Sequence, residues 1–341
     1  FAGWSATRER RAAGSSGGVF AELAAATVAG GGQVAGARMD GLNVRHDLAE
    51  TAQEALRFSG SKYLQSETEG IYRRVREQLN AGHPVLFSGT PCQVAGLLNM
   101  CVGKPGRDKL TTCEVVCHGV PSRRFWSRYV GETRKSPSAV LSFRDKLEGW
   151  LNSFAMTFEE AGSGTAVRSS FREGDLFLRA FLKGLILRNS CYDCPFAALP
   201  RLSDITLADF WGLRRFPAEQ ADGVSLVIVN TNRGMDLLRA TPGLTLHPVG
   251  LDEAVPANPR VVEGTSRLPW RSFVTRRYLE TALRFCSLIV LDKLFTGRIP
   301  KWQFWWWPYK LAWRFRARSV ALRSGVVRAK IVAPLAGGSC A

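Results

Sequence analysis

The sequence predicts an α/β protein: a mixed sheet domain with an inserted β-rich segment and a C-terminal helical basic tail. Two observations carry this. Short apolar runs bounded by turns alternate with stretches of helical periodicity, as at Gln33–Met39, Thr68–Ala81, His83–Phe87 and Gln93–Met100. A stretch of closely spaced strand-like runs then follows, at Val140–Phe143, Ser153–Phe158 and Ala166–Ser170.

The elements follow in order. A small-residue helix, Gly18–Ala29, opens after Gly14-Ser15-Ser16-Gly17. In Thr68–Ala81 the residues Ile71, Val75 and Leu79 fall on one helical face. Strand His83–Phe87 breaks at Ser88-Gly89-Thr90-Pro91-Cys92, and Thr111–Cys117 ends at His118-Gly119. Helix Ser122–Arg134 follows. A helix Asp175–Leu187 leads to Cys191-Tyr192-Asp193-Cys194, with strands at Asp204–Leu207, Ser225–Val229 and Leu244–Pro248 and a helix at Arg233–Ala240. Pro256–Pro259 marks a boundary, and helix Phe273–Phe295 lies beyond it. These divide the chain into a flavin-binding α/β half (1–135), a β-rich half with the C-x-x-C turn (136–258) and the tail (259–341).

With 341 residues and 45% hydrophobic content the chain can bury a core of about two domains. Its net charge of +17 is uneven: 15 basic residues against two acids from Arg267 onward give +13, and the rest only +4. A nearly balanced body argues against a nucleic-acid-binding core, and no nucleic acid is expected as partner. No run of about 18 apolar residues marks a spanning helix. The start, Phe1-Ala2-Gly3-Trp4-Ser5, lacks both a secretory pattern and an initiator Met, so the chain reads as a fragment.

Four of the eight cysteines occupy special turns. Cys191-x-x-Cys194 sets two thiols at a spacing suited to one metal centre. Cys92 and Cys117 each follow a buried strand, and in a parallel sheet both emerge at the carboxyl edge. Cys101, Cys113, Cys286 and Cys340 read as small apolar residues or a tail thiol. Four thiolates admit zinc or an iron–sulfur cluster. The single close pair with two distant ligands favours 4Fe-4S, because closed structural zinc sites usually pair their cysteines twice. Thiols kept for a metal fit a reducing cytoplasm.

At these residues the chain resembles the coenzyme F-420 hydrogenase/dehydrogenase beta-subunit family. The carriers are Ser15-Ser16-Gly17-Gly18-Val19-Phe20, Gly60-Ser61-Lys62-Tyr63, Ser88-Gly89-Thr90-Pro91-Cys92-Gln93, Val116-Cys117-His118-Gly119-Val120-Pro121, Phe143-Arg144-Asp145-Lys146, Cys191-Tyr192-Asp193-Cys194, Ser203-Asp204-Ile205-Thr206-Leu207 and Asp209-Phe210-Trp211-Gly212. The resemblance implies a flavoprotein oxidoreductase with FAD and at least one 4Fe-4S cluster. The cluster ligands would be Cys92, Cys117, Cys191 and Cys194. It implies electron exchange with a ferredoxin, or with a ferredoxin-like segment upstream. The Cys-His-Gly-Val-Pro form resembles a bacterial branch of unknown substrate, some of it in polysaccharide biosynthesis, so use of deazaflavin does not carry over.

The residues offer matching chemistry. Glycine-rich turns at Ser16-Gly17-Gly18 and Gly89-Thr90 let backbone N–H groups approach a diphosphate. Lys62 adds a cation and Tyr63 a face for stacking on a ring, while His118 is the candidate proton donor. Each has a plainer alternative: a turn, a surface pair, a capping histidine. The aromatic-basic tail, Lys301-Trp302-Gln303-Phe304-Trp305-Trp306-Trp307, suits a membrane surface, making the protein cytoplasmic or peripheral at the inner membrane face. It equally suits a helix packed on the body. The competing reading of the whole chain is a zinc-stabilised scaffold without turnover.

Overall fold

The structure is a computed structural model that describes residues 1–134, 137–162 and 164–262. The tail, with its helix and its membrane-surface reading, lies outside the described residues. No helix among the described residues is long and apolar enough to cross a membrane.

The chain opens with β1 (Ala2–Ser5), α1 (Arg8–Ala13), α2 (Val19–Ala29), β2 (Gln33–Asp40), β3 (Asn43–Ala49), α3 (Ala52–Leu56) and α4 (Ile71–Asn80). It continues with β4 (Val85–Gly89), α5 (Pro91–Cys101), β5 (Leu110–Val115) and α6 (Arg123–Thr133). Then come β6 (Pro137–Ser142), β7 (Ala155–Glu160), β8 (Ala166–Ser170), α7 (Leu176–Leu182) and β9 (Ile205–Asp209). The described part closes with α8 (Pro217–Gln220), β10 (Ser225–Val229), α9 (Asn232–Arg239), β11 (Leu244–His247) and α10 (Leu251–Ala254).

Eight strands form one sheet in the order β11-β1-β10-β9-β5-β4-β2-β3, and β6-β7-β8 form a second, antiparallel one. Strands β2, β4, β5 and β9 run parallel. The fold class is therefore as predicted: a mixed sheet with an inserted β-rich segment between β5 and β9. The large sheet takes β1–β5 from residues 1–135 and β9–β11 from 136–258, so its hydrogen bonding runs across that division.

Period-two alternation places a core on each face of this sheet. On β4, Leu86 joins Val19, Leu23 and Leu238, whereas Val85 and Phe87 pack with Ile71, Val75, Leu79 and Leu97. The predicted apolar stripe of α4 is thus its buried face. A third core, built on Trp126, Phe158 and Phe177, joins α6 and α7 to the small sheet.

Two differences from the sequence reading have local causes. Strand β1 has four residues and no alternation, so it carries no strand signal. It is nevertheless wholly buried, paired with β10 on one side and β11 on the other. Helix α7 stops at Leu182 rather than at Leu187. Gly184 adopts φ +68°, its N–H donates to the Phe181 carbonyl (2.8 Å), and Leu185 N–H donates to Ala180 (2.9 Å). This glycine-terminated cap ends the helix.

Burial of His46 makes the fold sensitive to acid. The ring is 4% exposed, stacks on Phe87 at 5.3 Å, and its Nε2 donates to the Ser88 carbonyl at 3.0 Å. Burial pulls its pKa down from 6.5 to about 4, with Lys62 repelling the charged form and the Ser88 bond opposing both. The unfolded ring therefore takes up a proton first as pH falls. The His46 contribution is complete above about 6.5, shrinks below it, and is gone beneath about 4. At about 1.4 kcal/mol per pKa unit, the whole change is on the order of 3 kcal/mol. Urea unfolding midpoints followed from pH 7 to 4 are expected to fall less steeply in His46→Phe than in the unaltered protein.

Candidate redox centre

Because β4, β5 and β9 are parallel, their carboxyl ends open onto one edge, and the candidate residues collect there. Thr90 and Pro91 open α5 just beyond β4, which leaves Cys92 exposed in the first turn of that helix. The helix N-terminus favours a thiolate at this position. The Thr90 hydroxyl lies 3.2 Å from Cys92 Sγ. Gln93 fixes the turn, its Oε1 accepting from Thr90 N–H (3.0 Å) and its Nε2 donating to Ser66 Oγ (2.8 Å).

Two residues past β5, Cys117 begins a turn that is held against the C-x-x-C segment by backbone pairing. Ser122 N–H donates to the Ile186 carbonyl (2.8 Å), and Arg188 N–H donates to Val120 (2.9 Å). This short antiparallel contact exists because α7 ends at Gly184 and frees residues 185–188 to run extended. Gly119, at φ +110°, completes the fit. A Cβ there would stand 2.8 Å from Leu187 Cδ1 and 3.2 Å from Cys191 Cβ.

The four predicted thiols share one neighbourhood. Cys92, Cys191 and Cys194 all lie within electrostatic reach of Cys117, and Cys92 and Cys191 within reach of Cys194. Several backbone N–H groups point at the sulfurs. Gly119 donates to Cys117 Sγ (3.3 Å) and Val120 to Cys191 Sγ (3.5 Å), while Phe196 and Ala197 donate to Cys194. Burial pushes the Cys117 thiol up to about 12 and raises Cys194, with the neighbouring sulfurs adding to both. Such thiols lose their protons when a cationic centre joins them. Among the described residues no three His, Cys, Asp or Glu side chains converge on the point a single metal ion would occupy. Cys101 and Cys113 are buried in the apolar cores on either face of the sheet, as expected of packing residues.

His118 turns away from solvent chemistry. Its Nε2 donates to the Phe181 carbonyl at 2.9 Å, and its ring meets the Phe181 ring edge-on at 4.9 Å. Burial, with Arg260 nearby, lowers its pKa to about 4, so the imidazole is neutral at pH 7. Tyr63 stacks on the other partner of this row, Phe181, at 4.6 Å, and burial pushes its hydroxyl up to about 12. Tyr63, Phe181 and His118 thus form a continuous stack that reaches Cys117.

The residues predicted to cradle a diphosphate are joined to one another, yet their donors face the protein. Ser61 N–H donates to Ser15 Oγ at 2.5 Å, which ties the two loops together. Ser16 Oγ donates to the Val224 carbonyl (2.7 Å), and Gly17 N–H donates to Ser225 Oγ (3.0 Å). A Cβ at Gly17 would collide with the Gly3 carbonyl oxygen. Gly18, at φ +78°, caps α2. Lys62 Nζ donates to the carbonyls of Phe58 (2.9 Å), Ser59 (2.7 Å) and Gly60 (3.1 Å). Lys146 does the same for Arg11, Ser16 and Asp222 (2.6–2.9 Å). Close backbone packing explains the small residues here. Gly89 and Thr90 remain beside Cys92 at the open edge.

Three charged residues at the site were not singled out from sequence. Glu114 and Arg201 form a buried pair at 3.3 Å. Arg260 lies within electrostatic reach of Cys117. A lone acid inside the otherwise uncharged Leu110–Val115 strand was the available signal for Glu114; Arg260 had none, being outside every motif.

The fold and site define an α/β protein with a four-thiol centre at the carboxyl edge of its sheet. Residues 82–244 match the family described as the C terminus of the coenzyme F420 hydrogenase/dehydrogenase beta subunit, and over that segment the chain belongs to this family, one of oxidoreductase subunits. A solved structure similar in fold is a chain of the F420-reducing [NiFe] hydrogenase complex from Methanosarcina barkeri, studied by xenon derivatization. The likeness has a TM-score of 0.52 and 16% identity, and covers 76% of this chain and 84% of that one. No curated protein matches.

Proposed function

We propose that the chain is an iron–sulfur flavoprotein that passes electrons between a 4Fe-4S cluster, FAD and an organic partner. Cys92, Cys117, Cys191 and Cys194 would hold the cluster. The observation that carries this reading is the gathering of four thiols from three separate turns, with N–H groups directed at the sulfurs of three of them. A single zinc needs sulfurs converging to about 2.3 Å from one point, whereas a cluster gives each thiolate its own iron and so accepts a wider spread. The spread of these thiols supports the cluster.

A cluster bound here would supply one electron at a time. The chain's own residues hold the thiolates, surround them with N–H donors and keep His118 neutral. FAD rests on the family resemblance. Ser16, Gly17 and Lys62 are engaged within the protein, so no flavin contact is assigned to them. Tyr63, Gly89 and Thr90 stay as the candidates nearest the thiols. A ferredoxin, free or as an upstream segment, fits the one-electron side. A deazaflavin-type coenzyme or a glycan-related intermediate fits the other.

Protein purified without oxygen and assayed for iron, sulfide, zinc and flavin tests the reading. The expected result is roughly four iron and four sulfide per chain together with flavin. Stoichiometric zinc without sulfide would establish the scaffold instead.

A further inference from the structure

The cysteine turns are backed by a segment that lies beyond the family match, which ends at residue 244. The short helical turn Pro259–Val261 is fixed from two sides. Asn258 Nδ2 donates to the carbonyls of Trp211 (3.0 Å) and Ala254 (2.8 Å). Arg201 Nη2 donates to the carbonyls of Arg260 (2.9 Å) and Val261 (2.7 Å). Its Nη1 meets Glu114 Oε1 at 3.3 Å, and both side chains are essentially inaccessible to water. Glu114 sits on β5, three residues ahead of Cys117. One strand therefore delivers the thiol and, through Arg201, the backbone of residue 260. The half-buried guanidinium of Arg260 then lies within electrostatic reach of the Cys117 sulfur and the His118 ring.

We propose that Arg260 is a fixed positive charge that raises the reduction potential of the centre held by the four cysteines, and that Arg201 and Glu114 position it. The inference rests on the cluster reading. One electron taken up adds one negative charge to the centre. A partly desolvated cation nearby stabilises that reduced form more than the oxidised one, and burial weakens solvent screening. His118 is neutral and contributes no charge of its own, so Arg260 supplies it.

Potentiometric titration of the anaerobic full chain with dithionite and mediators tests this, with iron and sulfide measured on every sample. Arg260→Gln is expected to lower the equilibrium constant for reduction about tenfold, a fall of about 59 mV for one electron. Arg260→Lys should keep most of the original potential. Arg239→Gln, the same charge loss at an exposed site on α9, should leave it unmoved. A normally loaded Arg260→Gln protein with an unchanged midpoint overturns the inference while the cluster reading stands. An equal shift in Arg239→Gln does the same. Loss of the cluster from Arg260→Gln but not from Arg260→Lys supports a need for the charge, and loss from both shows a packing role and overturns it. No iron in the unaltered protein overturns the reading and the inference together.

Discussion

Cys117→Ser is expected to strip the anaerobically purified protein of most of its iron and sulfide together, whereas Cys101→Ser is expected to leave both in place. The two thiols differ in surroundings rather than chemistry. Cys117 faces three other cysteine sulfurs and accepts the Gly119 N–H. Cys101 ends α5 among Val75, Leu79 and Leu97. A hydroxyl in place of Cys117 removes a soft ligand from a site whose geometry is fixed by backbone, and the remaining three thiols cannot move to replace it. In Cys101→Ser the polar group enters an apolar core, which costs stability on the order of 1–3 kcal/mol without touching the site. Melting temperature and iron content measured side by side separate the two effects. Equal iron loss in both variants would show that general unfolding was being read and would remove Cys117 from the ligand set.

Much of this centre was legible in the sequence, because it depends on local signals. Val85-Leu86-Phe87 and the run ending at Val115 read as buried strands, and in a parallel arrangement Cys92 and Cys117 then emerge together, which is where the structure puts them. The Cys191-x-x-Cys194 spacing needed no tertiary information. Which turn the C-x-x-C segment meets was hidden. It depends on Gly184 ending α7 three residues before Leu187, so that 186–188 can pair with 120–122. A continuous apolar pattern through Leu185-Ile186-Leu187 reads as more helix. The turn at Ser16-Gly17-Gly18 shows a different ambiguity. Small residues are required both where backbone approaches a phosphate and where it approaches another strand, and only the contacts with Gly3, Val224 and Ser225 distinguish them. Charged residues buried beneath the site are least legible of all. Arg201 and Glu114 lie 87 positions apart, and nothing local pairs them.

That pair predicts the largest loss of stability. Arg201→Met would leave the Glu114 carboxylate, 0% exposed, without its cation, and would release the carbonyls of Arg260 and Val261. Thr206 Oγ1, at 3.2 Å, still donates to Glu114 Oε1, but one neutral hydroxyl does not offset a buried charge. Removing one member of a buried pair typically costs about 3–5 kcal/mol, because the other is stranded in a medium that solvates it poorly. Burial already raises the Glu114 pKa, with Arg201 as the foremost group holding it down. Without that arginine the carboxyl should take up a proton more readily, so the deficit should grow as pH rises. The double variant Arg201→Met/Glu114→Gln has no charge to strand, and its urea midpoint should recover much of the loss. If the single and double variants unfold at the same denaturant concentration, the damage lies in the severed carbonyl bonds at residues 260 and 261 rather than in the charge. The pair would then act as a clamp on that turn and not as an electrostatic partner.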